Sequence, residues 1–322
     1  MLYLNDDHIR KIGTDWHTLT ETVRGVLYTD DAGDCVHPIK PYLRFREPQN
    51  RIIAMPAYVG GSTELAGIKW IASFPENYLK GLPRAHNTVI LNDTDTGQPL
   101  AFFNSGLLSG LRTAAVSGLM VQAFMEARQP EQISLGIIGW GPIGRLHLDM
   151  CAALLGEKLH KIYLYDLRGV ELSTVPDHLR SKTVVAQDWR EVYHHVNILA
   201  TCTVSSQRYI DEKPRDGMLL LGVSLRDYLP ESVAHLKTLI VDDWDEVCRE
   251  NTDIEQLHLQ HDLQKKDVGT LADAVCRGLL NQAGQQETVF FNPMGLAIFD
   301  IGTAGHYWRK ALALGIGEQL LV

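Results

Sequence analysis

The sequence predicts an α/β protein, a doubly wound parallel sheet joined to an N-terminal α+β domain. Three observations carry that prediction. The middle of the 322-residue chain alternates apolar strand-like runs with helical stretches, a glycine-rich turn links the first of those strands to the first of those helices, and the N-terminal third reads instead as short strands separated by turns. With 45% hydrophobic and 21% charged residues, the composition suits two ordinary cores and excludes a disordered or fibrous chain.

From Asp15 to Ala32 the apolar residues Trp16, Leu19, Val23, Val26 and Leu27 fall at helical spacing, with Thr14 or Asp15 as the cap. Between Ile39 and Leu100 the texture changes to PYLRF, RIIAMPAYVGG, AGIKWIASF and NTVILND followed by TDTGQPLAFF, which predicts an antiparallel meander turning at Gly60-Gly61 and Asp95-Thr96-Gly97. Leu108 to Ala127 lacks proline and is rich in Ala, Leu and Met, so a second helix follows, opening near SGLRTAAVSG and stopped by Pro130. ISLGIIG, KIYLYD, TVVA, NILATCT, MLLLGVS and TLIVDD are then successive parallel-strand candidates. TVFFN and a closing helix over Ala297–Leu314 follow, and the helix is expected to return to the first domain. The predicted domains are residues 1–115, completed by 300–322, and residues 116–299.

Thirty Lys+Arg against thirty-nine Asp+Glu leave a formal charge of −9, which disfavours nucleic acid and anionic membrane as partners. Five scattered cysteines without a CxxC pair fit reduced thiols and a cytosolic protein. The N-terminus lacks the apolar segment of an export signal, and no long uncharged apolar run reads as a membrane span.

ISLGIIGWGPIGRLHLDM carries Gly139, Gly141 and Gly144 as GxGxxG between a strand and a helix. In a dinucleotide-binding Rossmann turn the first glycine makes the tight turn, the second lets the backbone approach a pyrophosphate, and the third allows close helix-to-strand packing, with the helix N-terminus facing the phosphates. Pro142 and Ile143 lie inside the motif. Asp166 ends the next strand 22 residues beyond Gly144, where an acid receives the ribose hydroxyls of NAD. Arg168 could meet a 2′-phosphate, but Asp166 repels one, so NAD is the expected cofactor. Thr201, Cys202 and Thr203 follow a hydrophobic strand and offer further contacts to ribose or nicotinamide; a plain strand-ending turn reads equally well there.

Basic residues gather in the N-terminal third: Lys40, Arg44, Arg51, Lys69, Arg84 and Arg112. Lys69, flanked by Ile68 and Trp70, either snorkels at a sheet edge or is held by an anion. Arg112 is expected to open an Ala-rich helix, an unfavourable place for a cation unless an anion binds nearby. Singly, each is more often a solvated surface group. The set is what suggests a site for carboxylate or phosphate. His258 and His261 in LHLQHD could share a helix face, but no third ligand has matching spacing, so no metal is expected.

With KPYLR, RIIAMPAYVGG, GIKW, VILND and LRTAA before the dinucleotide motif and NPMGLAIFDI after it, nearly the whole chain resembles the ornithine cyclodeaminase/mu-crystallin family. The resemblance implies a substrate and dimerisation domain completed by the C-terminal helix, a Rossmann domain between its two parts, a homodimer, and oxidation of an α-amino acid, or the reverse, through an imine. Within the family, KPYLR, IIAMP, GIKW, VDDW and NPMG look most like the branch that oxidises N-(2-amino-2-carboxyethyl)-L-glutamate with NAD and releases 2,3-diaminopropionate and 2-oxoglutarate for siderophores and related peptides. That substrate carries three carboxylates, which Lys40, Arg44, Lys69, Arg84 and Arg112 would match. By resemblance, Lys69 is a catalytic or carboxylate-binding lysine. Arg112, with Thr113 beside it, bridges substrate and cofactor phosphate. Asp227 in GVSLRDYLPE lies near the reacting amine, with Ser224 as a neighbouring alternative. Asp227 departs from the family pattern, because Arg226 stands where a proline is usual and Glu231 lies four residues beyond; a surface-turn aspartate is its ordinary reading. Two rivals remain open, cyclisation of ornithine to proline with release of ammonia and a non-catalytic NAD(P)-binding protein like mu-crystallin.

Overall fold

The computed structural model describes residues 1–47 and 49–321. It divides into two compact units, Met1–Val116 with Gly295–Val322 and Ser117–Met294. The return to the first unit at Gly295 precedes the expected residue 300, because the closing helix begins at Ala297 and its entry turn goes with it.

The first unit is built on a mixed sheet. β1 (Leu2–Asn5) lies parallel to a later strand and is followed by α1 (Asp6–Ile12) and α2 (Trp16–Asp31). Asp15 caps α2 by accepting from the Thr18 N–H, and Trp16, Leu19, Val23, Val26 and Leu27 form its buried stripe. β2 (Cys35–Val36), β3 (Tyr42–Arg44), β4 (Arg51–Val59), β5 (Leu65–Ser73), β6 (Ala85–Asn92) and β7 (Pro99–Asn104) make the predicted antiparallel meander. β1 was not legible in the sequence, since four residues beside an acidic pair give too short a pattern.

The period-2 alternation decides what this sheet buries. Met55, Ala57 and Val59 of β4 and Leu65, Lys69 and Ser73 of β5 are buried. Lys69 therefore stands in an interior row, paired with Met55 on one side and Val89 on the other. The C-terminal helix Ala297–Leu314 packs on α2, β4, β5 and β6. A Cβ on Gly302 would collide with Val26, and one on Gly305 would come within 2.6 Å of Leu65, so small residues let this helix approach closely. Nine successive residues from Ala297 to Gly305 are buried, and Asp300 is the one charge among them.

α3 (Gly106–Arg128) begins in the first unit and ends in the second. By length and hydropathy it could cross a membrane, yet 78% of its most apolar window is buried, as in the core helix of a globular protein.

The second unit contains β8 (Ile133–Ile138), α4 (Pro142–Leu155), β9 (Leu159–Tyr165), β10 (Thr183–Val185), β11 (Ile198–Thr201), β12 (Leu219–Leu221), β13 (Thr238–Val241), β14 (Gly269–Thr270) and β15 (Val289–Phe291). All eight strands are parallel, in the order β10-β9-β8-β11-β12-β15-β13-β14. Uninterrupted burial along β11, β12, β13 and β15 marks strands covered on both faces. TVFFN, inside the expected 116–299 domain, lies between β12 and β13, because VFF is apolar enough for the middle of this sheet. β16 (Glu318–Gln319) pairs with β1 at the edge of the first sheet.

Candidate active site

Two groups of side chains and backbone carry chemistry, one in each unit. In the first, Lys69, Arg112 and Lys40 are buried to 1%, 6% and 4% exposure, and Asp300 to 3%. Lys69 Nζ donates to Asp300 Oδ1 at 2.9 Å and to Ser109 Oγ at 2.7 Å. Arg112 Nε donates to the same Asp300 oxygen at 2.9 Å. Lys40 Nζ donates to the Gly295 carbonyl at 2.7 Å.

Each group arrives from a different element: Lys69 from β5, Ser109 and Arg112 from α3, Asp300 from the last helix, and Gly295 from the NPMG turn before it. Gly295 has φ +86°, and a Cβ there would lie 2.6 Å from Arg112 Nη1, so glycine is required both by conformation and by the guanidinium packed against it. Two cations thus share one carboxylate oxygen, and Lys40 adds positive charge near Lys69. Burial, followed by the neighbouring Arg112, lowers the Lys69 pKa from 10.5 to about 8, while Asp300 opposes that shift. An anion entering such a place replaces lost hydration and neutralises excess positive charge.

Placement corrects several sequence expectations. Arg112 lies in the second turn of α3 and is paired with Asp300, so it does not face the helix N-terminus uncompensated. Arg44 and Arg84 are exposed and stand apart from the buried cations. Register places Arg44 opposite Arg51, which pairs with Ser73, four residues or about 13 Å along the strand from Lys69. Arg84 precedes Ala85, which pairs with Ser73 at the same end of the sheet. Strand alternation puts Arg44 on the face that carries Lys69, with its guanidinium carbon 5.4 Å from the centre of the Tyr42 ring. The Thr113 hydroxyl is engaged by the Ser109 carbonyl of its own helix.

In the second unit the strand order turns back between β8 and β11, the place where open parallel sheets bind ligands. Gly139 follows β8 at φ +99°, and a Cβ on it would sit 2.6 Å from the Cys202 carbonyl. A Cβ on Gly144 would collide with the Gly139 carbonyl, whereas the space beside Gly141 is open. Each glycine has its own reason. Gly141 is the N-cap of α4 and Pro142 its first residue, and no side chain caps the helix there. Uncapped N–H groups beside open space fit a dinucleotide pyrophosphate. Asp166 accepts from the N–H groups of Trp140 at 2.8 Å and Arg168 at 2.9 Å, which fixes its carboxylate beside the turn, and each oxygen retains capacity for a ribose hydroxyl. The Arg168 side chain is 79% exposed and only 3.9 Å from Asp166.

At the same sheet edge, Ser224 Oγ donates to the Thr201 carbonyl at 3.1 Å and to Asp227, and Thr203 Oγ1 donates to Asp227 Oδ1 at 2.5 Å. Asp227 is 1% exposed and no surface-turn residue. Burial raises its pKa to about 6 against the lowering effect of the Thr203 and Thr201 hydroxyls. Beneath it Asp253, also 1% exposed, accepts from Arg208 Nε at 2.9 Å and from the Asp227 N–H at 3.3 Å. Among the described residues no three His, Cys, Asp or Glu side chains gather as a metal site, and His258 Nδ1 is bonded to the Leu263 carbonyl.

Sequence reasoning missed Asp300 and Ser109 in the first unit and Asp253 with Arg208 in the second, whereas Gly295 lies in the NPMG turn it had singled out. Asp300 had a readable signal, a lone acid in the apolar helix AIFDIGTAG. The others had none at local range.

The model of the ornithine cyclodeaminase/mu-crystallin family matches residues 11–313. N-((2S)-2-amino-2-carboxyethyl)-L-glutamate dehydrogenase of Staphylococcus aureus is 30% identical, over 99% of this chain and 98% of its own. Delta(1)-pyrroline-2-carboxylate reductase of Bacillus cereus is 25% identical, over 88% of this chain and 89% of its own. Among solved structures, Delta(1)-pyrroline-2-carboxylate reductase of Thermococcus litoralis, in complex with NADH and L-proline, matches with a TM-score of 0.88 at 25% identity, covering 99% of this chain and 100% of that one.

Proposed function

The chain belongs to the ornithine cyclodeaminase/mu-crystallin family, and from that premise we propose that it is an NAD-dependent dehydrogenase of N-(2-amino-2-carboxyethyl)-L-glutamate. The overall change is oxidation of the glutamyl C–N bond to an imine, with water then releasing 2,3-diaminopropionate and 2-oxoglutarate. In this reading the products feed siderophore or peptide biosynthesis in the cytosol. The observation that carries the proposal is the burial of three cations, Lys69 and Arg112 on a single carboxylate and Lys40 acting on Lys69, an arrangement suited to a polyanionic substrate.

Gly139, Gly141, Gly144 and the N-terminus of α4 hold the cofactor pyrophosphate, and Asp166 holds its adenosine ribose, which favours NAD over NADP. Bound NAD supplies the acceptor for the hydride that leaves the glutamyl α-carbon. Lys69 and Arg112 grip the substrate's α-carboxylate, with Lys40 adding positive charge beside them. Arg44, on the same sheet face, meets an outer carboxylate; Arg84 is left out of this assignment. Asp227 takes the amine proton and activates the water that attacks the imine. With a pKa of about 6 it is mostly ionised above pH 7 and still basic enough for that task. Thr203 and Ser224 hold its two oxygens in place. The exposed apolar residues Leu43, Phe45, Trp70 and Leu79 of the first unit support a homodimer, which sedimentation velocity tests.

The deciding experiment incubates the protein with NAD and the secondary amine and follows NADH absorbance and 2-oxoglutarate release. Both products are expected in equal amounts. Proline and ammonia from ornithine without net NADH would select cyclodeamination instead, and cofactor binding without turnover of either compound would select a binding protein.

A further inference from the structure

Within the buried cluster of the first unit, Asp300 Oδ1 accepts from both Lys69 Nζ and Arg112 Nε at 2.9 Å, while Oδ2 is buried and accepts no hydrogen bond among the described residues. A carboxylate serving only to neutralise an internal ion pair would have both oxygens satisfied, because a buried acceptor left without a partner keeps its full desolvation cost. The arrangement is asymmetric. One oxygen ties two cations together, and the other is kept open.

We infer that Asp300 is a positioning residue of the anion site, fixing Lys69 and Arg112 as a two-pronged receptor for one carboxylate and leaving its second oxygen for the N–H group that an α-amine carries beside that carboxylate. This rests on the reading of the buried cluster as the substrate-anion site.

The geometry explains why a third party is needed. Lys69 comes from a strand and Arg112 from a helix, and two buried cations drive each other apart unless an anion sits between them. Asp300 comes from a third element packed on that strand and occupies this place permanently, so the receptor exists before a ligand arrives. The charged groups facing Lys69 are Arg112 from α3, Asp300 from the last helix and Lys40 from the segment before β3. Only Asp300 favours the protonated lysine. Taking its charge away lowers the lysine pKa further below about 8, and the cationic prong is then lost at a lower pH.

The test measures 2-oxoglutarate binding to the NADH-loaded protein by calorimetry between pH 6 and 9.5, for the wild type, Asp300→Asn and Asp300→Glu. Wild-type affinity is expected to fall as pH rises through about 8. In Asp300→Asn that fall should begin about one pH unit lower or more. Asp300→Glu keeps the charge and moves it, so the pH limb should stay in place while affinity drops about tenfold at every pH. That second variant suffices if Asp300→Asn does not fold. An unmoved pH limb in Asp300→Asn, or full affinity in Asp300→Glu, overturns the inference and leaves the proposed function standing. Failure of the wild type to bind the anion at any pH overturns the reading of the cluster itself.

Discussion

The buried cationic cluster of the first unit and the glycine-rich turn of the second, as the proposed function reads them, would recognise charge by opposite means. The cluster has buried, mutually repelling side-chain cations drawn from β5, α3 and the segment before β3, two of them held together by one aspartate from the last helix. The turn uses backbone N–H groups at a helix N-terminus, with no ionisable donor and every essential atom within a short stretch of chain. A site of the first kind is sensitive to pH and to the loss of any member. One of the second kind is sensitive to added bulk and nearly blind to pH.

The largest effect expected from this difference is at Lys69. Lys69→Met should lower kcat/KM for the tricarboxylate about a thousandfold, roughly 4 kcal/mol of transition-state stabilisation, while NADH affinity measured by fluorescence stays within twofold. Its stability should also change with pH in a defined way. The unfolded lysine keeps its proton to about 10.5 and the folded one only to about 8, so the wild type gains stability as pH rises across that window. Urea titrations of Lys69→Met should lack that gain.

Asp227 provides the opposite sign. Its folded pKa of about 6 exceeds the ordinary 3.8, so the fold retains a proton that the unfolded chain releases, and stability is lost as pH rises through that interval. Asp227→Asn should therefore become more stable relative to wild type between pH 4 and 7, by on the order of 3 kcal/mol at most, while turnover collapses. A stability difference that does not change between those two pH values would show that the carboxyl is not held in a desolvated site.

The two kinds of recognition separate again at Gly141. The space a Cβ would enter is open, so Gly141→Ala should melt within a degree or two of wild type, yet bind NADH at least about tenfold more weakly and equally so at pH 6 and 9. Normal NADH affinity would mean that the pyrophosphate does not approach this backbone.

The smallest effects concern the exposed arginines. Arg44→Ala should raise KM several-fold through the loss of one screened contact, and Arg84→Ala less than twofold. A tenfold effect at Arg84 would show that the anion site extends to the end of the sheet.

These contrasts also explain what the sequence could show. The turn was legible because its pattern is local: three glycines, a strand, a helix and an acid at fixed spacing. Lys69 was legible as an oddity, a lysine between Ile68 and Trp70, but its partner lies 231 residues further along. Nothing in AGIKWIASF names Asp300. Arg44 and Arg84 looked equivalent to Lys69 in composition and differ only in position: one lies on the short edge strand β3, the other outside any strand. Asp227 could be read equally as a site residue by resemblance or as a turn residue, because its burial depends on Asp253 and on a hydroxyl from beyond the end of β11. Local patterns report backbone sites well, whereas sites assembled from distant side chains show only their unexplained members.

One consequence of the placement of Asp300 concerns the order in which the protein is made. The ribosome finishes the entire nucleotide-binding unit between the synthesis of Lys69 and that of its counter-ion. Until the closing helix emerges, the nascent sheet exposes the groove that helix will fill and carries a lysine it cannot bury at reasonable cost. The proposed anion receptor is therefore among the last features to mature, completed only when the final helix delivers its counter-ion.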